Sequence, residues 1–414
     1  MITVVGTGTG GPPPAGPVRH AALVVGAARH LAAVEPLPGA RQIVLGPLAP
    51  ALDTIERHLK EDGGPVVVLA SGDPGFFGIV RALGARFGAA ALDVRPSSPS
   101  VAVAFARLGL SWDDAVVVSA HGRELRTAVN VCRAHRKVAV LTGPGAGPAE
   151  LGAALDRAGS ERELVVAAGL GTDTEEVVRV SPAAAARRDW PAAVSVVLCL
   201  GAARELVADR ALTVAGPGPV PAEWALDEEE FAHRDSMVTK AEVRALALAR
   251  LGPRTGELVW DIGAGSGSVS VECARFGAAV VAVERDPAGA ARVTANAAAH
   301  GVEVQVVVGA APRVLGELPD PDVVFVGGGG RELAGIVAAC GRRARRRVVV
   351  TLAAVDRVAE VRSALRSAGL EPDGVLLQSS RLAPLPGDVV RLAAGNPVFV
   401  LWGTRPAVVE GAVA

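Results

Sequence analysis

A glycine-rich turn that follows an acidic residue is the part of this sequence best suited to bind a small molecule. Asp261 lies near the end of a β-branched run, and a tight turn follows it. The turn consists of Gly263, Ala264, Gly265, Ser266 and Gly267. Glycines let the backbone turn sharply and approach a ligand closely. The helix predicted over 269–276 adds unpaired N–H groups next to the turn. This strand–turn–helix pattern predicts a cofactor site.

The spacing of the glycines separates two classes of cofactor. Dinucleotide-binding proteins use GxGxxG, which seats a pyrophosphate on the helix N-terminus. Here the third glycine comes one place early, at Gly267, and Ser268 takes its position. Asp261 would repel a pyrophosphate but attract the cationic amino-acid end of S-adenosylmethionine. The turn therefore favours the methyl donor over a nicotinamide cofactor, and an oxidoreductase is the rival class.

A second carboxylate supports this interpretation. Glu284 ends the next predicted strand, about twenty residues after the turn. A carboxylate there can accept hydrogen bonds from both ribose hydroxyls of the donor, and the alternative is a solvated strand-end glutamate. Ala310 and Ala311 follow a further strand and are predicted near the adenine. Upstream, Thr239 has capping-box spacing to Glu242, and a role at the donor is predicted in addition.

The first half of the chain has weaker signals of the same kind. Gly72 and Asp73 form a turn after a predicted strand, at the sheet edge where α/β proteins bind ligands. Ser98 precedes a helix and is predicted within its N-cap segment whatever the function. His121 and Arg123 follow another strand, where a substrate contact and an ordinary loop position are equally compatible with the sequence.

Short β-branched runs alternate with helical stretches along the whole chain, which predicts an α/β fold with mostly parallel sheets. The first series of strands is predicted at 2–5, 66–70, 115–119, 138–142, 164–167 and 194–198. The second series is predicted at 258–262, 279–284, 304–308, 323–326, 347–352 and 398–402. A Pro/Gly stretch at 216–221 separates the two series. The predicted organisation is a domain at 1–203, a linker at 204–228, a domain at 229–405 and a tail at 406–414.

Composition excludes several classes of function. The formal net charge is −1 and tyrosine is absent, which argues against a general polyanion binder and against base-stacking platforms. The four cysteines are far apart and have no zinc spacing, so we expect no metal. The N-terminus lacks a signal-peptide pattern, and no apolar run reaches the ~18 residues of a membrane span. We therefore expect a cytoplasmic protein that binds neither nucleic acid nor membrane.

With these residues in view, nearly the whole chain resembles the decarboxylating precorrin-6Y methyltransferase family. The first domain is similar to tetrapyrrole methylases in the stretches 28–31, 69–78, 96–109 and 121–123. The second is similar to the separate decarboxylating methylase subunit in the stretches 239–245, 260–268 and 325–329. One departure is Cys273, where the family commonly has a tryptophan, and that position is expected to pack the core.

The resemblance implies a bifunctional enzyme of cobalamin biosynthesis. It would methylate precorrin-6B at carbons 5 and 15 with S-adenosylmethionine and decarboxylate the ring-C acetate, giving precorrin-8X. It implies a two-lobed tetrapyrrole-methylase domain, with a donor near Gly72, Asp73 and Ser98, and a Rossmann-like class I methyltransferase domain, with a donor along 263–267. Relatives of the separate subunit suggest a homo-oligomer, with a tetramer as one form, assembled through the second domain.

The substrate implied by the resemblance is a tetrapyrrole bearing many carboxylates, which arginines can bind bidentately. Decarboxylation needs a proton delivered to the new methyl carbon. Candidate catalytic residues are Asp235, Lys240 and Arg244, because all three lie on the segment expected to border the donor. Methyl transfer itself needs alignment more than covalent help, so the absence of a nucleophile–base dyad from the sequence pattern does not argue against an enzyme.

Three alternatives to this function stay open from the sequence. Only one of the two domains could be catalytic. The chain could also methylate another substrate such as nucleic acid, for which the arginine-rich run at 342–347 is the one supporting feature. That run falls between a helix and a strand, where cations favour a helix C-terminus. Finally, either domain could bind donor or tetrapyrrole as a sensor, without turnover.

Overall fold

The computed structural model describes residues 1–8, 15–35, 38–61, 63–190, 195–202, 215–216, 223–234 and 238–406. The chain divides into two compact units, which contain the two predicted series of strands. The first unit comprises Met1–Arg123, Lys137–Asp156 and Glu161–Gly216. The second comprises Glu124–Arg136, Arg157–Ser160 and Pro217–Ala414. Most of the predicted linker and all but the first residue of the predicted tail lie outside the described residues.

The first lobe of unit 1 is a parallel sheet in the order β3-β2-β4-β1-β5. Its strands are β1 (Ile2–Gly6), β2 (Leu23–Gly26), β3 (Arg41–Val44), β4 (Val66–Ala70) and β5 (Leu92–Arg95). Its helices are α1 (Ala15–Val18), α2 (Ala28–Ala32), α3 (Leu48–Lys60) and α4 (Val80–Phe87). Because all five strands run the same way, the loops after β1, β4 and β5 meet at one edge.

The second lobe contains a mixed sheet in the order β6-β7-β10-β8-β9, in which β6 and β7 pair in parallel and the other pairs are antiparallel. Its strands are β6 (Val116–Ser119), β7 (Lys137–Leu141), β8 (Glu163–Ala168), β9 (Glu176–Val180) and β10 (Ser195–Leu200). The helices in this part of the sequence are α5 (Ser100–Leu108), α6 (Leu125–Ala134), α7 (Pro148–Arg157) and α8 (Pro182–Arg187), of which α6 falls in unit 2.

Unit 2 is built on a seven-stranded sheet in the order β13-β12-β11-β14-β15-β19-β16. The first five of these strands are parallel, and β19 runs antiparallel to both of its neighbours, β15 and β16. The strands are β11 (Leu258–Ile262), β12 (Ala279–Glu284), β13 (Gln305–Val308), β14 (Val323–Val326), β15 (Arg347–Leu352), β16 (Glu371–Leu377) and β19 (Val398–Thr404). The helices are α9 (Ala241–Leu251), α10 (Ser268–Arg275), α11 (Pro287–Ala299), α12 (Leu333–Arg343) and α13 (Val358–Ser367).

The central strands of this sheet are hydrophobic along their whole length because helices cover both faces. Every residue of β11 and β12 is buried. Leu258, Trp260 and Ile262 belong to the cluster on one face of the sheet, and Val259 belongs to the cluster on the other. Asp261 in β11 and Glu284 in β12 are the charged exceptions, and they stand near the carboxyl ends of their strands.

A separate hairpin joins β17 (Ser380–Leu385) to β18 (Val389–Ala394). Leu382 pairs with Leu392 and Pro384 pairs with Val390, so these four apolar side chains share one face. Leu382 is 72% exposed and Leu392 is 68% exposed. Within the described chain this face is therefore uncovered.

Candidate functional site

A cavity of about 620 Å³ opens at the carboxyl ends of the parallel strands of unit 2. The loops after β11, β12, β13, β14 and β15 all contribute to its wall. Predicted donor residues that line it are Thr239, Asp261, Gly263, Ala264, Gly265, Ser266, Glu284, Ala310 and Ala311. Residues absent from the prediction also line it, at 327–330 after β14 and at 351–353 at the end of β15. Both segments lie at the end of a parallel strand, and that position is the sequence signal that could have predicted them.

Asp261 carries an unsatisfied carboxylate oxygen at this cavity. Its Oδ2 accepts hydrogen bonds from the Ser270 N–H at 3.0 Å and from the Ser270 hydroxyl at 2.6 Å. Its Oδ1 is buried and has no hydrogen-bond partner among the described residues. Burial raises the pKa of Asp261 to about 6, the Ser270 hydrogen bonds oppose that rise, and the negative charge of Glu284 adds to it. A carboxylate in this state fits a cationic ligand, such as the ammonium of the methyl donor.

Glu284 holds the two loops of the cavity together. Its Oε2 accepts a hydrogen bond from the Gly265 N–H at 2.9 Å, and its Oε1 accepts one from the Asp286 N–H at 2.9 Å. Each carboxylate oxygen has two lone pairs, so both oxygens can still accept a hydroxyl. The side chain is held in place and retains the acceptors that a ribose diol requires.

The glycines of the turn serve different purposes. Gly263 has φ +73°, and a Cβ there would lie 3.3 Å from the Gly328 backbone nitrogen. Gly267 has φ +76°, and its Cβ would lie 2.8 Å from Val293 Cγ1. Gly267 is outside the cavity lining, so its need for glycine comes from packing against α11. The sequence predicted all five turn residues as ligand contacts, whereas the structure gives Gly267 a supporting position.

The catalytic candidates of unit 2 fall in three different environments. Lys240 is exposed and lines the cavity beside Thr239. Arg244 is fully buried and is not among the cavity-lining residues. Asp235 lies outside the described residues. Of the two described candidates, Lys240 is therefore the one that lines the cavity.

In unit 1 the predicted donor residues meet at the carboxyl edge of the first sheet. Gly72 has φ +58°, and a Cβ there would lie 3.2 Å from the Pro99 Cα. The turn after β4 therefore packs directly on the segment that contains Ser98. Asp73 Oδ1 accepts a hydrogen bond from the Gly75 N–H at 2.8 Å, which stabilises the turn itself. The structure thus brings Gly72 and Ser98 together and gives Asp73 a local structural contact.

The other predicted residues of unit 1 lie on the turn after β6. His121 and Arg123 are both exposed there. A Cβ on Gly143 would lie 2.6 Å from His121 Nδ1, so the imidazole packs over the turn that follows β7. Both side chains are open to a ligand, and their predicted substrate contact stays a prediction.

Two predicted helix caps are wrong. Helix α9 begins at Ala241 with Lys240 as its N-cap and without a side-chain cap, so Thr239 and Glu242 form no capping box. The Ala241 N–H donates instead to Glu228 Oε1 at 3.0 Å. Helix α5 has Pro99 as its N-cap and no side-chain cap, so the serine segment before it does not cap it as predicted.

Two further observations concern ions and membranes. Among the described residues, no group of three or more His, Cys, Asp or Glu side chains is placed to hold a metal ion. In the same part of the chain, no helix combines the length and the apolar character that a membrane span requires.

Comparison with known proteins gives a match in each half of the chain. Residues 1–186 match the family of tetrapyrrole (corrin/porphyrin) methylases, and residues 229–398 match the precorrin methyltransferase domain. A Sinorhizobium precorrin-6Y C(5,15)-methyltransferase [decarboxylating] is 36% identical over 343 residues, which cover 80% of this chain and 79% of that protein. The chain belongs to this family.

Shorter relatives each match part of the chain. A probable cobalt-precorrin-6B C(15)-methyltransferase (decarboxylating) of Pyrobaculum calidifontis is 37% identical over 40% of this chain and 87% of its own length. A cobalt-precorrin-7 C(5)-methyltransferase of Salmonella typhimurium is 32% identical over 48% of this chain and 98% of its own length. The predicted fold class, a tetrapyrrole-methylase domain followed by a Rossmann-like methyltransferase domain, is confirmed.

In this precorrin methyltransferase, Arg244 supports the cavity wall from behind. Its Nε donates to Glu272 Oε1 at 3.4 Å, and both side chains are fully buried. Its other nitrogens donate to the carbonyl oxygens of Thr239, at 2.6 Å, and Leu226. Burial lowers the pKa of Arg244, and the charge of Glu272 opposes that effect. These contacts assign Arg244 a structural role and do not support its predicted catalytic role.

Arg381 of the hairpin strand β17 supports the same wall from the outside. Its guanidinium donates to both oxygens of Glu228, at 2.8 and 2.9 Å, and to both oxygens of Glu242, at 2.8 and 3.1 Å. Glu228 is 4% exposed and also accepts the first amide of α9. Burial raises the pKa of Glu228, but hydrogen bonds from Arg381 and Ala241 outweigh it and lower the pKa to about 2. This network ties the hairpin to the start of α9, directly after the cavity residue Lys240.

Replacing Arg381 with Met is expected to destabilise unit 2 by roughly 1–3 kcal/mol, because Glu228 loses its counter-charge while it stays buried. Donor affinity should fall several-fold as the 238–240 wall loosens. Since the folded-state pKa of Glu228 lies below its unfolded value, its stabilisation is present near neutral pH and is lost as pH falls towards 2. The stability difference between R381M and wild type should therefore shrink between pH 7 and pH 3.5.

Calorimetric unfolding and donor titration measure both effects. Arg391→Met is the matched control, since Arg391 lies on the partner strand β18 and contacts a backbone carbonyl of its neighbour. Equal unfolding temperatures and donor affinities for R381M and R391M would show that the network does not support the cavity.

Proposed function

We propose that the chain methylates precorrin-6B at carbons 5 and 15 with S-adenosylmethionine and decarboxylates the ring-C acetate, giving precorrin-8X in cobalamin biosynthesis. The observation that carries the proposal is the pair of buried carboxylates at the glycine turn, Asp261 with an unpartnered oxygen and Glu284 with free acceptor positions. Together they match the ammonium and the ribose of one donor molecule. The names of the relatives in each half support the choice of substrate.

Two donor sites belong to the proposal, one in each domain. The bound donor supplies an electrophilic methyl group, which its sulfonium sulfur carries. Once the methyl group is transferred, the rest of the donor leaves as a neutral thioether. In unit 2, Asp261 and Glu284 orient it, and the turn at 263–266 encloses it. In unit 1, the close packing of Gly72 against the Ser98 segment supports a donor at that edge. We place the domains at 1–203 and 229–405 and require no metal for either reaction.

Decarboxylation breaks the bond between the acetate carboxyl and its methylene, and the released electron pair takes up a proton at that carbon. The conjugated macrocycle accepts the electrons before the proton arrives. Lys240, exposed at the cavity wall, is the candidate among the described residues for delivering the proton. Asp235 stays a candidate from the sequence, and Arg244 is set aside because Glu272 and backbone carbonyls occupy its donors.

Nucleic acid is not part of the proposed substrate range. Arg343 of the arginine-rich run donates to Asp320, Arg346 pairs with Glu257 at 2.7 Å, and Arg347 donates to Thr404 at 3.1 Å. Because groups of the same domain already bind these three side chains, they are poorly placed to bind the phosphates of a nucleic acid.

The test of the function is a count of products from the full-length enzyme. With precorrin-6B and methyl-labelled donor, we expect two labelled methyl groups in each product and one released carbon dioxide. One methyl group with carbon dioxide would show that only the second domain is catalytic. Donor binding without transfer to the tetrapyrrole would refute the enzyme and favour a sensor.

A homo-oligomer assembled through the second domain, with a tetramer as the expected form, completes the proposal. The uncovered face of the β17–β18 hairpin supports it, because contiguous exposed apolar surface on a protein marks interaction sites. A double change of Leu382 and Leu392 to Glu is expected to yield monomers, measured by light scattering after size exclusion. Val355→Glu, at a 64% exposed apolar position elsewhere in unit 2, is the control and should keep the wild-type mass. A monomeric wild type would contradict the assembly.

A further inference from the structure

A polar cluster lies at the carboxyl edge of the first sheet, outside the residues assigned so far. Thr7 follows β1, Ser71 follows β4, and His30 lies in α2 after β2. His30 Nε2 is 3.3 Å from the Thr7 hydroxyl and 3.2 Å from the Ser71 hydroxyl. His30 is only 9% exposed. Two loops and a helix thus bring hydrogen-bonding groups to one point beside Gly72.

Arg29 completes the cluster. Its Nη2 donates to the Ser71 hydroxyl at 2.7 Å, and its Nε donates to His30 Nε2 at 3.3 Å. Burial lowers the pKa of His30, and the charge of Arg29 lowers it further. The imidazole is therefore neutral near pH 7 and can accept the Arg29 hydrogen bond.

The charge of Arg29 is held in place by neutral groups. Both of its side-chain partners, Ser71 and His30, are uncharged, and no carboxylate among the described residues pairs with it. A guanidinium that is oriented but not neutralised is suited to bind a carboxylate, and two parallel N–H groups can hold both of its oxygens.

The hydroxyl groups add to this arrangement. The unprotonated His30 Nε2 has one lone pair, so it accepts fully from one of its three neighbours. Ser71 accepts from Arg29 and can donate to His30. The Thr7 hydroxyl is then left with a proton that it can donate to a ligand oxygen next to the guanidinium.

We propose that Arg29, with Ser71 and Thr7, forms a carboxylate-binding subsite of the first domain, positioned by His30. The inference rests on the proposed function, which supplies two sources of carboxylate, a side chain of the acidic tetrapyrrole and the amino-acid end of the donor. The subsite orients its ligand for methyl transfer at carbon 5. Arg29 makes the contact, and His30 is a positioning residue.

Arg29→Met in the full-length enzyme tests the subsite. If the tetrapyrrole occupies it, the KM for the tetrapyrrole in carbon-5 methylation should rise roughly 10- to 100-fold, with kcat little changed. Carbon-15 methylation and carbon dioxide release should stay at wild-type rates. Arg29→Lys should recover part of the loss, and Ser71→Ala should show a smaller rise in KM.

A second measurement distinguishes the two sources of carboxylate. If the donor occupies the subsite, calorimetry of R29M should show weaker donor binding at one site, and the KM for the tetrapyrrole should not change. Arg41→Met, an exposed arginine at the start of β3, is the matched control and should behave as wild type in both assays.

The outcomes separate the subsite from the function on which it rests. If wild type methylates carbon 5 and R29M matches R41M in both KM and donor affinity, the subsite is wrong and the function stands. If wild type transfers no methyl group to carbon 5, the proposed function fails in this domain, and the subsite fails with it. Equal unfolding temperatures for R29M and R41M show that a rise in KM does not come from misfolding.

Discussion

Glu284→Gln should weaken one of the two donor-binding events expected of the full-length protein. The change keeps the size of the side chain and leaves one oxygen for the backbone amide of Gly265 or Asp286. It removes the charge that strengthens hydrogen bonds to the ribose diol. Such bonds contribute about 1.5–3 kcal/mol, so affinity at this site should fall roughly 10- to 100-fold.

Titration calorimetry with S-adenosylmethionine measures this directly. Wild type should bind two equivalents, and E284Q should retain one at the affinity of the first domain. Carbon-15 methylation should be lost, and carbon-5 methylation of a substrate already processed by the second domain should persist. Glu360→Gln, an exposed position on α13, is the control. Two equivalents with unchanged affinities in E284Q would contradict the assignment of Glu284.

Asp261→Asn should separate donor binding from stability. Burial raises the pKa of Asp261 to about 6, so in wild type the carboxylate is ionised at pH 7 and largely protonated at pH 5. The donor ammonium stays charged across this range, since an α-amino group titrates near pH 7.7–8.0. Donor affinity in unit 2 should therefore fall about tenfold from pH 7 to pH 5. D261N should bind weakly at both pH values.

The stability of the unliganded protein should move in the opposite direction. Because the folded-state pKa of Asp261 lies above its unfolded value, the buried charge penalises the folded state above pH 6, and stability rises as pH falls through that value. D261N should therefore unfold at a higher temperature than wild type at pH 7, while donor stabilises it less. Asp356→Asn, on the surface, should change neither quantity. A D261N protein of lower stability that keeps wild-type donor affinity would overturn this role.

The sequence predicted the buried parallel strands best. Strands β4, β11, β12, β14 and β15 have the predicted bounds, because β-branched runs covered on both faces leave a continuous apolar signal. The hairpin strands β17 and β18 went unpredicted. Both strands are exposed. β17 contains Pro384, and Arg391 interrupts the apolar residues of β18, so neither strand shows regular alternation or continuous hydrophobicity.

In the candidate site, too, some residues could be predicted from the local sequence and others could not. The positions of Asp261 and Glu284 at the cavity were predictable because a local motif fixes the turn, and the next strand fixes the distance to the second carboxylate. The surroundings of Arg244 could not be predicted, because they depend on Glu272, which lies on another helix. Arg381 gave no signal at all, since its two glutamate partners are far away in sequence and meet it only in the folded domain.

If the proposed homo-oligomer assembles through the β17–β18 hairpin, the Arg381 network would make donor binding and assembly parts of one equilibrium. Arg381 lies on the hairpin that carries the exposed apolar face, and its glutamate partners hold the first turn beside the donor cavity. If assembly fixes the hairpin, each donor molecule must favour association by the same factor by which association favours the donor. The apparent donor affinity of a dilute sample should then be lower than that of a concentrated one. In the cell, the amount of this protein present would itself regulate how well it binds its donor.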